Sequence, residues 1–278
     1  YILKHFSICN PNSMKQFQHE ITFYEIINNQ SPYICKYFGQ IETRFLKIII
    51  IEYIEGETLL KFIKNKKQTD IITKLQIIFD ILIAVELIHS KNIVLRDLKS
   101  DNIIIDSANK AILIDFDQSF LNQSNRIEND KDNDTEIQNK TNGCIGCIYF
   151  TAPEQFLYSK YSKEADIFSL GMNIHFIITG KEYNFDSMEI YQQYQHAEKQ
   201  KDNMLKFNEI PKVPIEYEEI KELYEKSLEF LPNLRPNINQ IINVFLNYVL
   251  NKASLKKKFL HFLYISANQN NQYSQQKL

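Results

Sequence analysis

The chain contains few of the residues that mark several large protein classes. Its 278 residues include no tryptophan, six glycines and four cysteines, and its net charge is only −2. Nothing at the N-terminus resembles a signal peptide, and four cysteines without a secretory signal lead us to expect reduced thiols in an intracellular, cytoplasmic protein. A net charge this close to zero gives no reason to expect nucleic acid or an anionic membrane as a partner.

Long apolar runs are also missing. A membrane-spanning helix needs about 20 apolar residues, and no run in this sequence approaches that length, so we expect no membrane span. The run Ile48–Ile51 has the length of a buried strand instead. With 44% hydrophobic and 24% charged residues, the chain can bury a substantial core in one large domain or two small ones.

The most informative stretch is residues 95–102, which read Leu-Arg-Asp-Leu-Lys-Ser-Asp-Asn. It places a carboxylate, an ammonium group and an amide close together, at Asp97, Lys99 and Asn102. A second carboxylate, Asp115, follows a short apolar run. Phosphoryl transfer needs such groups: an Asp to orient the attacking hydroxyl, a Lys near the moving phosphoryl group, and Asn with Asp for Mg²⁺.

These residues resemble the catalytic loop and the metal-binding motif of eukaryotic protein kinases. The resemblance continues in the family's order along the chain, from residue 1 to about residue 248. The further matching segments are Tyr1–Lys4, Phe17–Glu20, Ile48–Gly56, Ala152–Glu154, Asp166–Gly171 and Arg235-Pro236. Several motifs in the right order carry more weight than any one of them.

The resemblance implies an α+β fold of two lobes, the bilobal protein-kinase-like fold. The small lobe would be β-rich and the large lobe mainly helical. We expect the first strands of the small lobe and its glycine-rich loop to lie upstream of Tyr1, because no glycine precedes Gly39. We predict a partial small lobe at residues 1–54, a large lobe at residues 55–250 and a polar tail at residues 251–278. The activation segment would lie within the large lobe, at residues 115–154.

Apolar spacing predicts the main elements. Phe17, Ile21, Tyr24 and Ile27 recur at helical intervals, so we expect a helix there. Similar patterns predict four further helices, at residues 69–90, 166–179, 217–228 and 238–250. Short apolar runs predict strands at residues 48–51, 103–105 and 111–114. Residues 121–142 are polar and lack periodicity, which predicts a loop.

The resemblance also implies roles at an ATP site. Lys4 would contact the nucleotide phosphates and be held by Glu20. Glu25 is the alternative partner, but five residues further along a helix it lies on a different face. Backbone groups of Glu52 and Ile54 would receive adenine.

The remaining implied roles belong to the large lobe. Asp97 and Lys99 would be the catalytic residues, the first orienting the substrate hydroxyl and the second steadying the moving phosphoryl group. Asn102 and Asp115 would bind Mg²⁺. The cofactors implied are therefore ATP and Mg²⁺, and the implied partners are protein substrates.

Three positions depart from the family pattern. Leu95 replaces a His, which keeps apolar packing against Phe116 and loses a polar contact of about 1 kcal/mol. Asp117 replaces a Gly, and Asp tolerates a left-handed backbone better than most residues. We therefore expect that exchange to restrict inactive conformations more than the active one. Cys147 replaces a Thr whose hydroxyl bridges the catalytic Asp and Lys, and a thiol donates more weakly.

Other polar residues have simpler interpretations. Cys144 and Cys147 form a Cys-x-x-Cys pattern that also occurs in zinc and redox sites. Zinc needs two further ligands, and Cys9 and Cys35 lie in the other lobe, so we interpret all four as ordinary thiols. His89, at a helix end, is interpreted as a capping or packing residue.

Control by phosphorylation is a further expectation. In related kinases an Arg placed as Arg96 is receives a phosphate from the activation segment. The candidate hydroxyls are those of Ser119, Ser124, Thr135 and Thr141. Thr141 is the one nearest the stretch Gly146–Glu154, so we predict phosphorylation at Thr141 or a neighbouring hydroxyl.

Three functions fit the pattern. The first is an active Ser/Thr protein kinase, because Lys99 follows Asp97 by two residues as in the Ser/Thr type. The second is a pseudokinase acting as a scaffold or an allosteric partner, which loss of Lys4, Asp97, Asn102 or Asp115 would mark. The third is a small-molecule phosphotransferase with a kinase-like core, which would lack the pair Glu154 and Arg235.

Overall fold

The computed structural model describes residues 1–65, 69–122, 150–158, 161–181, 217–252 and 255–261. Small antiparallel sheets occupy the N-terminal part, and helices dominate the rest. The predicted α+β class with two unequal lobes is confirmed. The lobe boundaries that we placed at residues 54 and 250 stay predictions.

The small lobe is a three-stranded sheet with one helix against it. Its elements are β1 (Ile2–Ser7), α1 (Pro11–Ile27), β2 (Tyr37–Glu42) and β3 (Leu46–Ile51). The strands are antiparallel in the order β1-β3-β2. Helix α1 begins after Asn10, whose side-chain oxygen accepts the N–H groups of Asn12 and Ser13. Those bonds satisfy backbone donors that a helix start leaves open.

The large lobe contains the remaining elements. In chain order they are β4 (Gly56–Thr58), α2 (Leu59–Asn65), α3 (Ile71–Ser90), β5 (Ile93–Val94), β6 (Ile103–Asp106), β7 (Ala111–Leu113), β8 (Phe120–Leu121), α4 (Pro153–Tyr158), α5 (Lys163–Thr179), α6 (Glu218–Ser227) and α7 (Ile238–Asn251). Strands β4, β6 and β7 form one small sheet, and β5 pairs with β8. A Cβ at Gly56 would lie 2.3 Å from the Ile105 carbonyl oxygen, so only glycine fits there.

Helix α5 forms the centre of the large lobe. Every residue from Ala165 to Ile178 is buried. The helix ends at Gly180, which has a φ of 70° and donates its N–H to the Phe176 carbonyl. Glycine adopts that left-handed conformation without the steric cost that a Cβ brings.

The two lobes are joined by backbone hydrogen bonds as well as by the connecting chain. Leu113 in β7 accepts the N–H of Cys35 at 2.9 Å and donates its own N–H to the Tyr33 carbonyl at 2.9 Å. Ile34 and Leu113 thus form a parallel bridge between the lobes. This places the end of β7, and Asp115 just beyond it, directly below the small lobe.

The predicted elements correspond closely to the observed ones. Helix α1 is longer than predicted, since its first turn is polar and carries no apolar pattern. Within the predicted polar tail, residues 255–261 include a helical turn whose Leu255 and Phe259 are buried. The loop predicted at 121–142, together with Thr141, Cys144 and Cys147, lies almost wholly outside the described residues.

Candidate active site

The first cluster of the site joins the two lobes around Lys4. Its Nζ lies 2.8 Å from a carboxylate oxygen of Glu20 and 2.8 Å from Oδ1 of Asp115. Burial alone would lower the pKa of Lys4, but the two carboxylates outweigh it and hold that pKa above its usual value. The ammonium group therefore stays charged at neutral pH.

The local fold explains why these three residues meet. Lys4 lies in β1 opposite Ile49 of β3, and Glu20 lies on the face of α1 that is buried. Glu20 is fully buried, whereas Glu25 is exposed. The structure thus brings Lys4 to Glu20 rather than to the alternative, Glu25.

Aromatic packing holds Asp115 in this position. The ring of Phe116 stacks on Phe23 of α1, with centroids 3.8 Å apart, and meets the edge of Tyr24 at 5.7 Å. Tyr24 in turn stacks on Tyr37 of β2 at 5.2 Å. Since stacked and edge-to-face rings stabilise one another beyond their burial, residues 115–116 are fixed against α1.

A second cluster surrounds Asp97 in the loop between β5 and β6. Its Oδ2 lies 2.6 Å from Nζ of Lys99 and 2.9 Å from Nδ2 of Asn102. Burial raises the pKa of Asp97 above its usual value, although Lys99 and Asn102 pull it down. A carboxylate with a raised pKa is a better proton acceptor than a fully solvated one.

The backbone of this loop is held from below by α5. Asp166 accepts the N–H of Leu95 at 2.8 Å and that of Arg96 at 3.0 Å. Nε2 of His89 lies 2.9 Å from the same carboxylate, and His89 is buried. His89 is therefore part of the packing, as the sequence indicated.

Two amides in the site have no counterpart in the sequence analysis. Asn173 donates its Nδ2 hydrogen to the Leu98 carbonyl at 3.1 Å. Gln155 donates to the Arg96 carbonyl at 3.2 Å and accepts the N–H of Ala152 at 3.0 Å. Helical spacing from Asp166 could have indicated Asn173, since residues seven apart share a helix face. Nothing in the sequence marks Gln155.

The guanidinium of Arg96 lies between two aromatic rings. Its Cζ is 4.1 Å from the ring centroid of Phe120 and 4.2 Å from that of Tyr161. Both distances allow cation–π attraction. Phe120 lies near the start of the predicted activation segment and Tyr161 lies just beyond its end, so Arg96 contacts the chain on both sides of residues 123–149. We predicted that Arg96 binds a phosphate carried by Thr141. Because Thr141 lies outside the described residues, this role stays a prediction.

The donor set of the site suits Mg²⁺ held jointly with phosphate. Nδ2 of Asn102 points at Asp97, which leaves its Oδ1 as a ligand atom, and Asp115 offers a half-exposed carboxylate. Mg²⁺ prefers hard oxygen ligands and is often bound by one or two protein groups plus substrate phosphates. In the described ranges, no three His, Cys, Asp or Glu side chains form a metal cluster by themselves. The residues fit such a shared ion and no all-protein cage.

The expected adenine site lies in the extended segment after β3. The N–H of Glu52 donates to the Lys36 carbonyl at 2.9 Å, and the Glu52 carbonyl lies 3.6 Å from Sγ of Cys35. A carbonyl oxygen can accept two hydrogen bonds, so that of Glu52 retains capacity for a ligand. Ile54 is half-buried against the core. Their nucleotide contacts stay predictions.

A buried ion pair supports the region beyond the activation segment. Arg235 donates two hydrogen bonds to Glu154, at 2.6 and 2.8 Å. It also donates to the carbonyls of Glu164, Phe230 and Glu229. The guanidinium thus satisfies its hydrogen-bonding capacity in a buried position, which a lone buried charge would not tolerate.

The departures from the family pattern acquire specific surroundings. Leu95 is buried in the same core as Phe116. Asp117 is absent from the described non-glycine residues with positive φ, whereas Asp115 has a φ of 64°. Position 117 therefore does not need the tolerance of a left-handed backbone that Asp offers. Cys147 lies outside the described residues.

Comparison with known proteins gives a consistent answer. The family model for the protein kinase domain matches residues 1–246. A probable serine/threonine-protein kinase KIN1 homolog of Enterocytozoon bieneusi is 31% identical over 161 residues, which are 58% of this chain and 25% of that protein. A probable serine/threonine-protein kinase of Dictyostelium discoideum is 31% identical over 165 residues, 55% of this chain and 35% of its own length.

A third relative is the developmentally-regulated protein kinase 1 of Dictyostelium discoideum. It is 30% identical over 158 residues, 56% of this chain and 20% of its own length. The matched part of the chain thus spans between a fifth and about a third of these relatives, at 20% to 35%. Among the helices of the described residues, none has the length and apolar character needed to cross a bilayer.

Proposed function

This chain belongs to the protein kinase family, and we propose that it transfers the γ-phosphoryl group of ATP to serine and threonine hydroxyls of proteins. One observation carries the proposal: residues far apart in sequence converge on two adjoining clusters. Lys4, Glu20 and Asp115 form the first, and Asp97, Lys99 and Asn102 form the second. The names of two of the three relatives support the serine/threonine class.

The first cluster would bind the nucleotide. The ammonium group of Lys4, held by Glu20, would contact the phosphates. Asn102 Oδ1 and the Asp115 carboxylate would hold Mg²⁺. When bound, Mg²⁺ supplies positive charge that offsets the charge on the phosphoryl oxygens. Backbone groups of Glu52 and Ile54 would receive the adenine ring.

The second cluster would carry out the transfer. Asp97 orients the substrate hydroxyl, whose oxygen forms a bond to the γ-phosphorus as the bond to the bridging β–γ oxygen breaks. ADP leaves with that electron pair, and the hydroxyl proton passes to Asp97. Lys99 would steady the moving phosphoryl group. No covalent enzyme intermediate is involved.

The buried pair of Glu154 and Arg235 favours protein substrates. It fixes the end of the activation segment against the helical core, where the family presents a surface for a polypeptide. We include an intracellular setting in the proposal, because ATP is abundant there. All four groups whose loss would mark a pseudokinase, Lys4, Asp97, Asn102 and Asp115, are present.

Exchange of Asp97 for Asn tests the proposal. Asp97→Asn keeps the size and the contact with Lys99 but cannot accept the proton, so we expect phosphorylation of a generic Ser/Thr substrate to fall by about 10²- to 10⁴-fold. Radiolabel transfer from ATP in the presence of Mg²⁺ would measure it. Asp101→Asn is the matched control, since Asp101 is exposed on the same loop and should be neutral.

Nucleotide binding separates the alternatives. A ligand that binds only the folded protein raises its melting temperature, so ATP with Mg²⁺ should stabilise both the wild type and Asp97→Asn. Stabilisation without phosphoryl transfer to any protein would favour the pseudokinase. No stabilisation at millimolar ATP would contradict the proposal altogether.

A further inference from the structure

Three successive residues, Asp115–Asp117, connect their segment to helix α1, the first through Lys4 and the other two directly. Asp115 is joined to Glu20 through Lys4, and Phe116 stacks on a ring of the helix. The third contact is polar: Oδ2 of Asp117 accepts a hydrogen bond from Nε2 of Gln16 at 3.1 Å. A glycine at position 117 would leave Gln16 without this acceptor.

The third contact lies on the same face of α1 as the first. Gln16 and Glu20 are four residues apart, so their side chains are neighbours along the helix. The helix therefore contacts the segment through two adjacent turns. One contact reaches Asp115 by way of Lys4, and the other reaches Asp117 directly.

The geometry of Asp117 is well defined. Its second oxygen, Oδ1, accepts a hydrogen bond from Nε2 of Gln118 at 3.1 Å. Both carboxylate oxygens are thus used, and Asp117 and Gln16 are both half-buried. Hydrogen bonds to a charged acceptor are stronger than neutral ones, and partial burial strengthens them further.

We propose that Asp117 is a positioning residue, whose hydrogen bond with Gln16 holds the start of the activation segment on α1 and so stabilises the arrangement in which Glu20 reaches Lys4. The inference rests on the proposed function, because that arrangement is the one that would bind Mg²⁺ and ATP. If helix and segment move apart in part of the population, apparent nucleotide affinity falls by the fraction lost. The hydrogen bond between Gln16 and Asp117 reduces that fraction.

Variants at Gln16 test this role without touching the nucleotide contacts. Gln16→Met removes the donor at nearly constant volume and adds no charge. We expect it to weaken binding of Mg·ATP by up to about tenfold, the order of one charge-assisted hydrogen bond, because apparent affinity follows the fraction of molecules in the binding arrangement. Titration calorimetry would measure the dissociation constant. Asp117→Asn keeps one acceptor oxygen where the carboxylate has two and loses the charge, so its dissociation constant should lie between those of the wild type and Gln16→Met.

A reciprocal exchange separates this pair from a general effect on stability. Gln16→Glu places two carboxylates together and should weaken binding at least as much as Gln16→Met. Combining it with Asp117→Asn restores a donor and an acceptor in reversed positions, so binding should recover. Gln18→Glu adds the same charge to an exposed position of α1 and serves as the control. Equal effects of Gln16→Glu and Gln18→Glu, or no recovery in the double variant, would overturn the proposal.

Hydrogen–deuterium exchange of the nucleotide-free protein provides a readout independent of ATP. Gln16→Met should speed exchange of amides in residues 115–122, while the double variant should match the wild type. If the wild type binds no Mg·ATP, the proposed function fails, yet the exchange data still decide whether Gln16 holds Asp117. Unchanged exchange in Gln16→Met would refute the positioning role even in an active enzyme.

Discussion

At the scale of single residues, Asp80 is an unusual buried acid. It lies on α3, is fully buried, and accepts the N–H of Ala111 at 2.9 Å through Oδ2. Its Oδ1 has no hydrogen-bond partner among the described residues. Burial raises the pKa of Asp80 well above its usual value; the Ala111 N–H and Lys110 lower it, and Asp106 adds to the rise. The folded chain thus favours the neutral form of this carboxyl more than the unfolded chain does.

Stability should therefore depend on pH through Asp80. In the unfolded chain an Asp titrates near pH 4, so the folded state holds a proton that the unfolded state has already released. That contribution is fully present below about pH 4 and is lost as pH rises through the folded-state pKa. Asp80→Asn cannot titrate, so urea unfolding should show its stability improving relative to the wild type between pH 5 and pH 8.

A second variant controls for the hydrogen bond. Asp80→Leu leaves the Ala111 N–H unpaired and, like Asp80→Asn, cannot titrate, so we expect its free energy of unfolding to lie about 1–3 kcal/mol below that of Asp80→Asn at every pH. A constant difference between Asp80→Asn and the wild type across that pH range would show that Asp80 does not titrate there.

At the scale of elements, helix α5 is mainly apolar but carries one polar face. Asp166, Ser169 and Asn173 project from it at spacings of three and four residues, which is one helix face. They bond to the backbone of Leu95 and Arg96, of Phe150, and of Leu98. Helix α5 thereby holds both the loop that contains Asp97 and the end of the predicted activation segment.

Asn173→Leu should separate folding from catalysis at this face. It leaves the Leu98 carbonyl unpaired next to Asp97, and we expect a loss of about 1–3 kcal/mol in stability and a fall in kcat. Affinity for Mg·ATP should change little, because the Lys4 cluster is untouched. Met172→Leu conserves volume at the neighbouring buried position and should alter neither. A fall in affinity as large as that in kcat would contradict this assignment.

The sequence predicts such elements better than their contacts. The apolar run ending at Gly180 was enough to predict α5, since Gly adopts the left-handed cap readily. The strands β5 and β8 escaped prediction because two residues each carry no pattern. The start of α1 escaped it because Pro11 to Gln16 is mostly polar.

The same contrast applies to the candidate site: motifs and helix geometry predict some of its residues, and tertiary packing determines the others. Glu20 could be separated from Glu25 by helix geometry alone, and motif order was enough to select Asp97, Asn102 and Asp115 as candidates; their roles stay predictions. Gln16 and Gln155 could not be identified, because an amide has no preferred motif and its partner is set by tertiary packing. Their contacts depend on how α1 and α4 meet the catalytic segments.

At the scale of the whole molecule, the packed core extends beyond α7 to residues 255–261. Phe259 is buried and packs against Phe79 of α3 and Phe245 of α7, with ring centroids 5.3 and 5.9 Å apart. Leu255 is buried beside it. Leu255 and Phe259 lie beyond the region that the family model matches, which ends at residue 246.

Truncation should reveal this contribution. A chain ending after Asn251 loses Phe259, and removal of a buried Phe side chain costs about 3–5 kcal/mol. We expect a clearly lower Tm in thermal unfolding. A chain ending after His261 retains that packing and is the control. Equal melting temperatures for the two chains would show that residues 255–261 contribute nothing to the fold.

The buried pair of Glu154 and Arg235 has a consequence for how the polypeptide can be divided. The two residues are 81 positions apart, and α5 and α6 also meet closely, since a Cβ on Gly171 would lie 2.8 Å from Cβ of Ser227. These contacts hold the part of the chain before residue 181 against the part after residue 217, independently of the polypeptide that connects the two parts. A molecule cleaved between Lys181 and Tyr217 should therefore remain one particle, and its two fragments, expressed separately, should associate into the native large lobe.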